Sequence, residues 1–220
     1  MCYDDNARPP EPPFPQGKAN GRDLTLTADD GARVMAYFAE PEQAARAQII
    51  VFPDVRGLHQ FYKDLALRFA QVGVRALALD YFARTAPTNA RDESFEFMPH
   101  VQQMTFPNFM RDVRAGVSEL NRDQKNRATF TVGFCRGGTL SLLVGAQNLA
   151  LNGIIAFYSG FSRPITDAEG PTLEQAHKIR FPVLGLYGGE DQSIPASDIG
   201  KLDEELDVAK VEHELRIYPG

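Results

Sequence analysis

The chain has 220 residues, 43% hydrophobic and 24% charged, with a formal net charge of −6 at pH 7. That length suits one α/β domain with a sizeable core, and an acidic balance without a basic stripe leaves no electrostatic footprint for nucleic acid. No apolar run is long enough to span a membrane, and the four scattered histidines (His59, His100, His177 and His213) form no metal-ligand cluster. The opening MCYDDNARPPEPPFPQG has no charged-then-apolar leader pattern, so the expected compartment is the cytoplasm, with Cys2 and Cys135 as free thiols.

Residues 1–20 carry prolines at 9, 10, 12, 13 and 15 and are expected to lie extended over the surface or partly disordered. Residues 23–27 and 33–39 read as two strands joined across Asp29-Asp30-Gly31, a hairpin signal. The run AQIIVF (47–52) is continuous and apolar, as a central parallel strand should be, and a loop follows at Pro53-Asp54-Val55-Arg56-Gly57. Residues 61–72 form an amphipathic helix with Leu65, Ala66, Phe69 and Val72 on one face. A second buried strand spans 74–79 and stops at Asp80. Residues 81–104 read as a long polar connection at a strand's carboxyl end, where sites are built, and 106–120 as a helix.

The chain is organised around residues 128–147, ATFTVGFCRGGTLSLLVGAQ. Thr129 to Val132 are β-branched or aromatic and predict a strand, while Leu140 to Ala146 predict a buried helix. Between them, Gly133 and Gly137 flank Cys135 two positions away on either side. A sharp strand-to-helix turn demands that spacing, because the chain passes over itself. The pattern is G-x-S-x-G with cysteine as the nucleophile; a buried structural cysteine beside two packing glycines is the alternative. A thiol at a helix N-terminus faces the positive end of the dipole, and the Arg136 N–H is aimed where a carbonyl oxygen would become an oxyanion.

Further strands are expected at 153–158, 182–187 and 211–218, and a helix at 197–206, with an irregular excursion over 159–176. Strands alternating with helices after a hairpin, with an elbow in mid-chain, give the α/β-hydrolase architecture: a mostly parallel sheet covered by helices on both faces. Triad partners in that architecture follow in the order nucleophile, acid, histidine. Asp191, in GGEDQSIP after the strand 182–187, fits the acid; a turn or N-cap role for it, and the adjacent Glu190, are the competing readings. The second oxyanion donor is expected from the loop after 47–52, at the N–H of Val55.

Together GFCRGG, GGEDQSIP, FPDVRG and DYFARTAP resemble the dienelactone hydrolase family, from about Gly31 to the C-terminus. The resemblance implies a Cys-Asp-His triad without a large lid, opening lactones such as the dienelactone of chlorocatechol breakdown. It also implies an acidic residue that pairs with the resting cysteine, matched here by Asp54 where glutamate is usual. An arginine for the substrate carboxylate is matched by Arg84. Arg136 departs from the family, which often has an apolar residue there. A salt-bridging or surface role for Arg84 and a turn role for Asp54 stay open, and His59 reads as a helix-start residue.

The function so implied is cysteine-dependent hydrolysis of a small, carboxylate-bearing ester or lactone, held by Arg84 and Arg136. No cofactor or metal is implied, the protein being a monomer or homodimer with no nucleic-acid or membrane partner. A general carboxylesterase or thioesterase, and a non-catalytic redox-responsive thiol, are the rival classes. The triad histidine is expected roughly two to five residues past Pro219, beyond Gly220. The single α/β domain at 21–220 is therefore expected to be C-terminally incomplete, without the histidine loop and last helix, and to expose the apolar surface that helix would cover.

Overall fold

Alternation of inward and outward side chains builds the first elements. In β1 (Ala19–Thr27) and β2 (Arg33–Pro41), Leu26, Val34, Ala36 and Phe38 turn into the core at every second position, the period of a half-covered strand. The computed structural model describes residues 4–86, 90–123, 127–160 and 170–219, and its chain forms two units, Met1–Thr129 and Phe130–Gly220.

In the first unit β1 and β2 pair antiparallel, with Thr27 opposite Arg33. The turn between them closes at Gly31, whose φ of 83° favours glycine. β3 (Ala47–Phe52) and β4 (Val74–Leu79) pair parallel, and β2 lies antiparallel on the other side of β4, giving the order β1-β2-β4-β3. Both β3 and β4 are buried along their length except at the first residue. That explains why they read as unbroken apolar runs instead of alternating ones. The crossover between them is α1 (Gln60–Gln71), which buries Phe61, Tyr62, Ala66 and Ala70. His59 caps it, Nδ1 accepting from the Phe61 N–H at 3.2 Å.

The connection after β4 contains a helix that the sequence reading treats as loop: α2 (Met98–Gln103), with Pro99 in its first turn. Then α3 (Phe106–Leu120) buries Phe106, Phe109, Met110, Val113 and Leu120. The proline-rich tail lies on the unit from residue 4 onward. Asp5 Oδ1 meets His59 Nε2 at 2.8 Å, Arg68 Nη2 meets Glu11 at 2.6 Å, and the Gln16 N–H donates to the Gln71 carbonyl at 2.7 Å.

The second unit carries β5 (Thr129–Phe134), α4 (Arg136–Gly145), β6 (Gly153–Phe157), the short α5 (Thr172–Gln175), β7 (Val183–Gly188), α6 (Ala196–Val208) and β8 (His213–Tyr218). Its strands follow chain order, β5-β6-β7-β8, all parallel. Helix α4 is buried from Gly137 to Gly145, and its Ser141 hydroxyl shares a 2.7 Å hydrogen bond with Thr131 of β5. Of the alternating face expected on β8, Val211 is buried just before the strand, His213 and Leu215 are half-buried, and Ile217 is exposed. Among the described residues no helix is long and apolar enough to cross a membrane, and no group of side chains is arranged to hold a metal ion.

Candidate active site

Cys135 stands where β5 ends and α4 begins, with φ 55° and ψ −119°. A non-glycine residue at positive φ is strained, and the surrounding chain fixes it there. The Cys135 N–H donates to the Phe157 carbonyl of β6 at 3.0 Å, and its carbonyl accepts from the Thr139 N–H at 3.2 Å. A Cβ on Gly133 would lie 1.9 Å from the Gly137 carbonyl oxygen and 2.6 Å from the Gly138 nitrogen, so only glycine fits. A Cβ on Gly138 would come within 2.9 Å of both the Phe157 oxygen and the Ser159 Cβ. The Cys135 side chain is half-buried at the amino end of a ten-residue helix, where the dipole favours negative charge.

Asp191 follows β7 in the same unit. Its Oδ1 accepts from the Ser193 N–H at 2.9 Å and the Ser193 hydroxyl at 2.6 Å. The Ser193 hydroxyl bond, ahead of burial acting the other way, holds this carboxyl below the ordinary aspartate range. The N-cap of α6 is Pro195, so the N-cap alternative falls and the turn role is real. Glu190 is exposed beside it. Among the described residues no histidine is hydrogen-bonded to Asp191. His213 sits at the opposite end of the sheet: it pairs with Val183 while Tyr218 pairs with Gly188, a separation along the strand of about 17 Å. Its Nε2 lies 3.0 Å from Asp203 Oδ1 and its Nδ1 2.7 Å from the Val211 carbonyl.

The loop after β3 belongs to the first unit. Asp54 is fully buried; its Oδ1 accepts from the Arg56 N–H at 2.9 Å, its carbonyl from Gly57 N–H at 3.0 Å and from the Tyr81 hydroxyl. This is the turn role left open for it. Its Oδ2 is buried with no hydrogen-bond partner among the described residues. Val55, in the same turn, is half-buried.

Arg84 lies between two carboxylates of its own unit. Its Nε lies 2.9 Å and its Nη2 2.6 Å from Asp112 Oδ1, while Nη1 and Nη2 hold Asp30 at 2.7 and 3.1 Å. Both edges of the guanidinium are paired with carboxylates of the protein, the salt-bridging role left open for Arg84. Hydrogen bonding to Asp112 first, then Asp30, raises the Arg84 pKa still further, and the Asp30 carboxyl is held down at about 2. Burial pushes the Asp112 carboxyl up and Arg84 opposes it.

Other polar residues carry no motif of their own and escape sequence reasoning. Asp80 and Arg91 form a buried pair at 2.6 Å, with Asp80 Oδ1 also accepting from the Phe82 N–H at 3.1 Å. A Cβ on Gly57, at φ 78°, would lie 3.1 Å from Asp80 Oδ1 and 3.2 Å from Arg91 Nε, so this pair shapes the turn after β3. In the second unit Ser159 and Tyr187 share a buried 3.1 Å hydrogen bond. The only sequence signal for them is a polar residue inside, or just after, an apolar strand.

Comparisons with known proteins agree with this geometry. The chain is 28% identical over 203 residues to a candidate carboxymethylenebutenolidase of Salmonella typhimurium, covering 89% of this chain and 74% of that one. It is 26% identical over 197 residues to a candidate 2-oxo-3-(5-oxofuran-2-ylidene)propanoate lactonase of a Bradyrhizobium species, covering 87% and 78%. The fold matches the crystal structure of a candidate dienelactone hydrolase from Klebsiella pneumoniae with a TM-score of 0.78 at 24% identity, over 91% of this chain and 85% of that one. The model of the dienelactone hydrolase family matches residues 34–220. The chain therefore belongs to the dienelactone hydrolase family, α/β-hydrolases that act on lactone and ester bonds.

Proposed function

We propose that Cys135 is the nucleophile with which this ester and lactone hydrolase attacks its substrate, and that the substrate is a small molecule bearing a carboxylate. The observation that supports this most is the elbow: a cysteine held at φ 55° between two chain segments so close that Gly133 admits no Cβ. Such strain, kept by its surroundings, is the mark of a nucleophile placed for attack. The thiolate sulfur bonds to the acyl carbon, the oxyanion that forms is held by the Arg136 N–H, and the carbon–oxygen bond to the leaving group then breaks to leave a thioester.

Asp191 is the acid of this reading: held ionised by Ser193, it would orient a histidine that activates water against the thioester. His213, turned to Asp203, does not serve as that base. For the substrate's acid group the reading keeps Arg136, next to the nucleophile, and drops Arg84. The Bradyrhizobium relative named for a lactone that carries a carboxylate supports this substrate class. A reducing, cytoplasmic setting goes with it, since the thiol must stay free; Cys2 lies outside the described residues.

The test compares p-nitrophenyl acetate, a neutral γ-lactone and a carboxylated lactone on wild-type protein and Cys135→Ala. The reading expects p-nitrophenol release and thioester formation only with Cys135 present, and faster opening of the carboxylated lactone. Equal rates on both lactones would favour a general esterase. Reversible peroxide oxidation of Cys135 with no acyl transfer to any substrate would favour the redox thiol.

A further inference from the structure

The nucleophile and the acid follow different strands, and a four-residue segment that begins at the last residue of β6 links them. Phe157 accepts the Cys135 N–H at 3.0 Å, and its ring stacks on Phe134 at 4.8 Å. The Tyr158 N–H donates across to the Leu186 carbonyl of β7 at 2.8 Å. Tyr158 itself is forced to φ 35°, so two strained non-glycine residues, Cys135 and Tyr158, stand on neighbouring strands. Ser159 then packs against Gly138 of the elbow helix, so closely that a Cβ there would sit 2.9 Å from its own. The next carbonyl, of Gly160, accepts the Thr139 hydroxyl.

Beside that backbone bond, a buried side-chain contact fastens the segment to β7. The Ser159 hydroxyl meets the Tyr187 hydroxyl at 3.1 Å, with Ser159 fully buried and Tyr187 at 2% exposure. Tyr187 lies four residues before Asp191, and the Asp191 N–H closes the turn onto Gly188 at 3.2 Å. Burial pushes the Tyr187 hydroxyl up to about 12, so it stays a neutral partner across the working range. A strained segment relaxes unless contacts on both sides oppose it.

We infer that Tyr187 and Ser159 are positioning residues: their buried hydrogen bond holds segment 157–160 against β7 and thereby fixes the Cys135–Arg136 peptide for acyl transfer. The inference rests on the reading of Cys135 as nucleophile. Stability and positioning make different demands here. Removing one hydroxyl takes a hydrogen bond from its buried partner, whereas removing both is closer to neutral for stability. Loss of the bond that holds the segment affects positioning alike in the single and double variants.

The experiment therefore uses Tyr187→Phe, Ser159→Ala and the double variant, with three readouts: Tm, the rate of Cys135 alkylation by iodoacetamide, and the rate of Cys135 acylation by p-nitrophenyl acetate. Alkylation needs a thiolate but forms no oxyanion. The expected result is acylation slowed on the order of tenfold or more in all three variants, alkylation within about twofold of wild type, and Tm recovered in the double variant alone. Acylation at the wild-type rate in a folded Tyr187→Phe protein would overturn the inference. So would an acylation rate that recovers along with Tm in the double variant, which would show a purely structural bond. If a single variant does not fold, the double variant decides by the same comparison of rates. Wild-type protein that is alkylated at Cys135 but never acylated overturns the parent reading, and this inference with it.

Discussion

Arg84 grips Asp112 through Nε and Nη2, at 2.9 and 2.6 Å to the same oxygen, and Asp112 is buried with a side chain only 1% exposed. A carboxylate so deeply enclosed needs its cation, and removing one partner of a buried pair costs about 3–5 kcal/mol. Arg84→Ala is therefore expected to lose about 3 kcal/mol of stability, measured by urea unfolding, and to lower turnover of anionic and neutral esters in the same proportion. A selective rise in KM for the anionic ester would restore Arg84 as a substrate clamp.

Asp30 completes that ion pair from the other side. Arg84 lowers the Asp30 pKa from 3.8 to about 2. A depressed carboxylate pKa adds stability that is present above the unfolded value and lost as pH falls through the folded one. Acid titration followed by circular dichroism should show stability falling between about pH 3.8 and about pH 2, with a shallower fall in Asp30→Asn. Identical acid profiles for the two proteins would show that the pair contributes nothing to this window.

Gly133→Ala puts a methyl 1.9 Å from a backbone oxygen, and backbone cannot yield as a side-chain tip can. The variant is expected to lose at least about 3 kcal/mol or fail to fold. Any folded fraction should acylate Cys135 far more slowly than wild type. A stable Gly133→Ala protein with normal acylation would mean that the turn tolerates a wider path than the one described.

The parts legible in the sequence are those whose cause is local. β3 and β4 occupy 47–52 and 74–79 as expected, because a strand buried on both faces writes itself as an apolar run closed by Pro53 or Asp80. The elbow was legible for the same reason: the close approach of Gly133 and Gly137 is settled within five residues. Helix α2 was missed, since six residues with Pro99 in the first turn and no buried side chain carry no periodicity. The ion pair of Arg84 is not legible, because its partner Asp112 is 28 residues away and nothing in the string DYFARTAP records that. Ser159 and Tyr187 are likewise separated by 28 residues, and each alone looks like an ordinary strand-end polar group.

A nucleophilic role for Cys135 is tested most directly by mass spectrometry of the protein quenched during reaction with p-nitrophenyl acetate, with peptide mapping of the acyl group. It predicts one acetyl group per chain, located on Cys135, appearing together with the first release of p-nitrophenol and absent from Cys135→Ala. Undiminished p-nitrophenol release by Cys135→Ala, or an acetyl group on another residue with Cys135 unmodified, would contradict it.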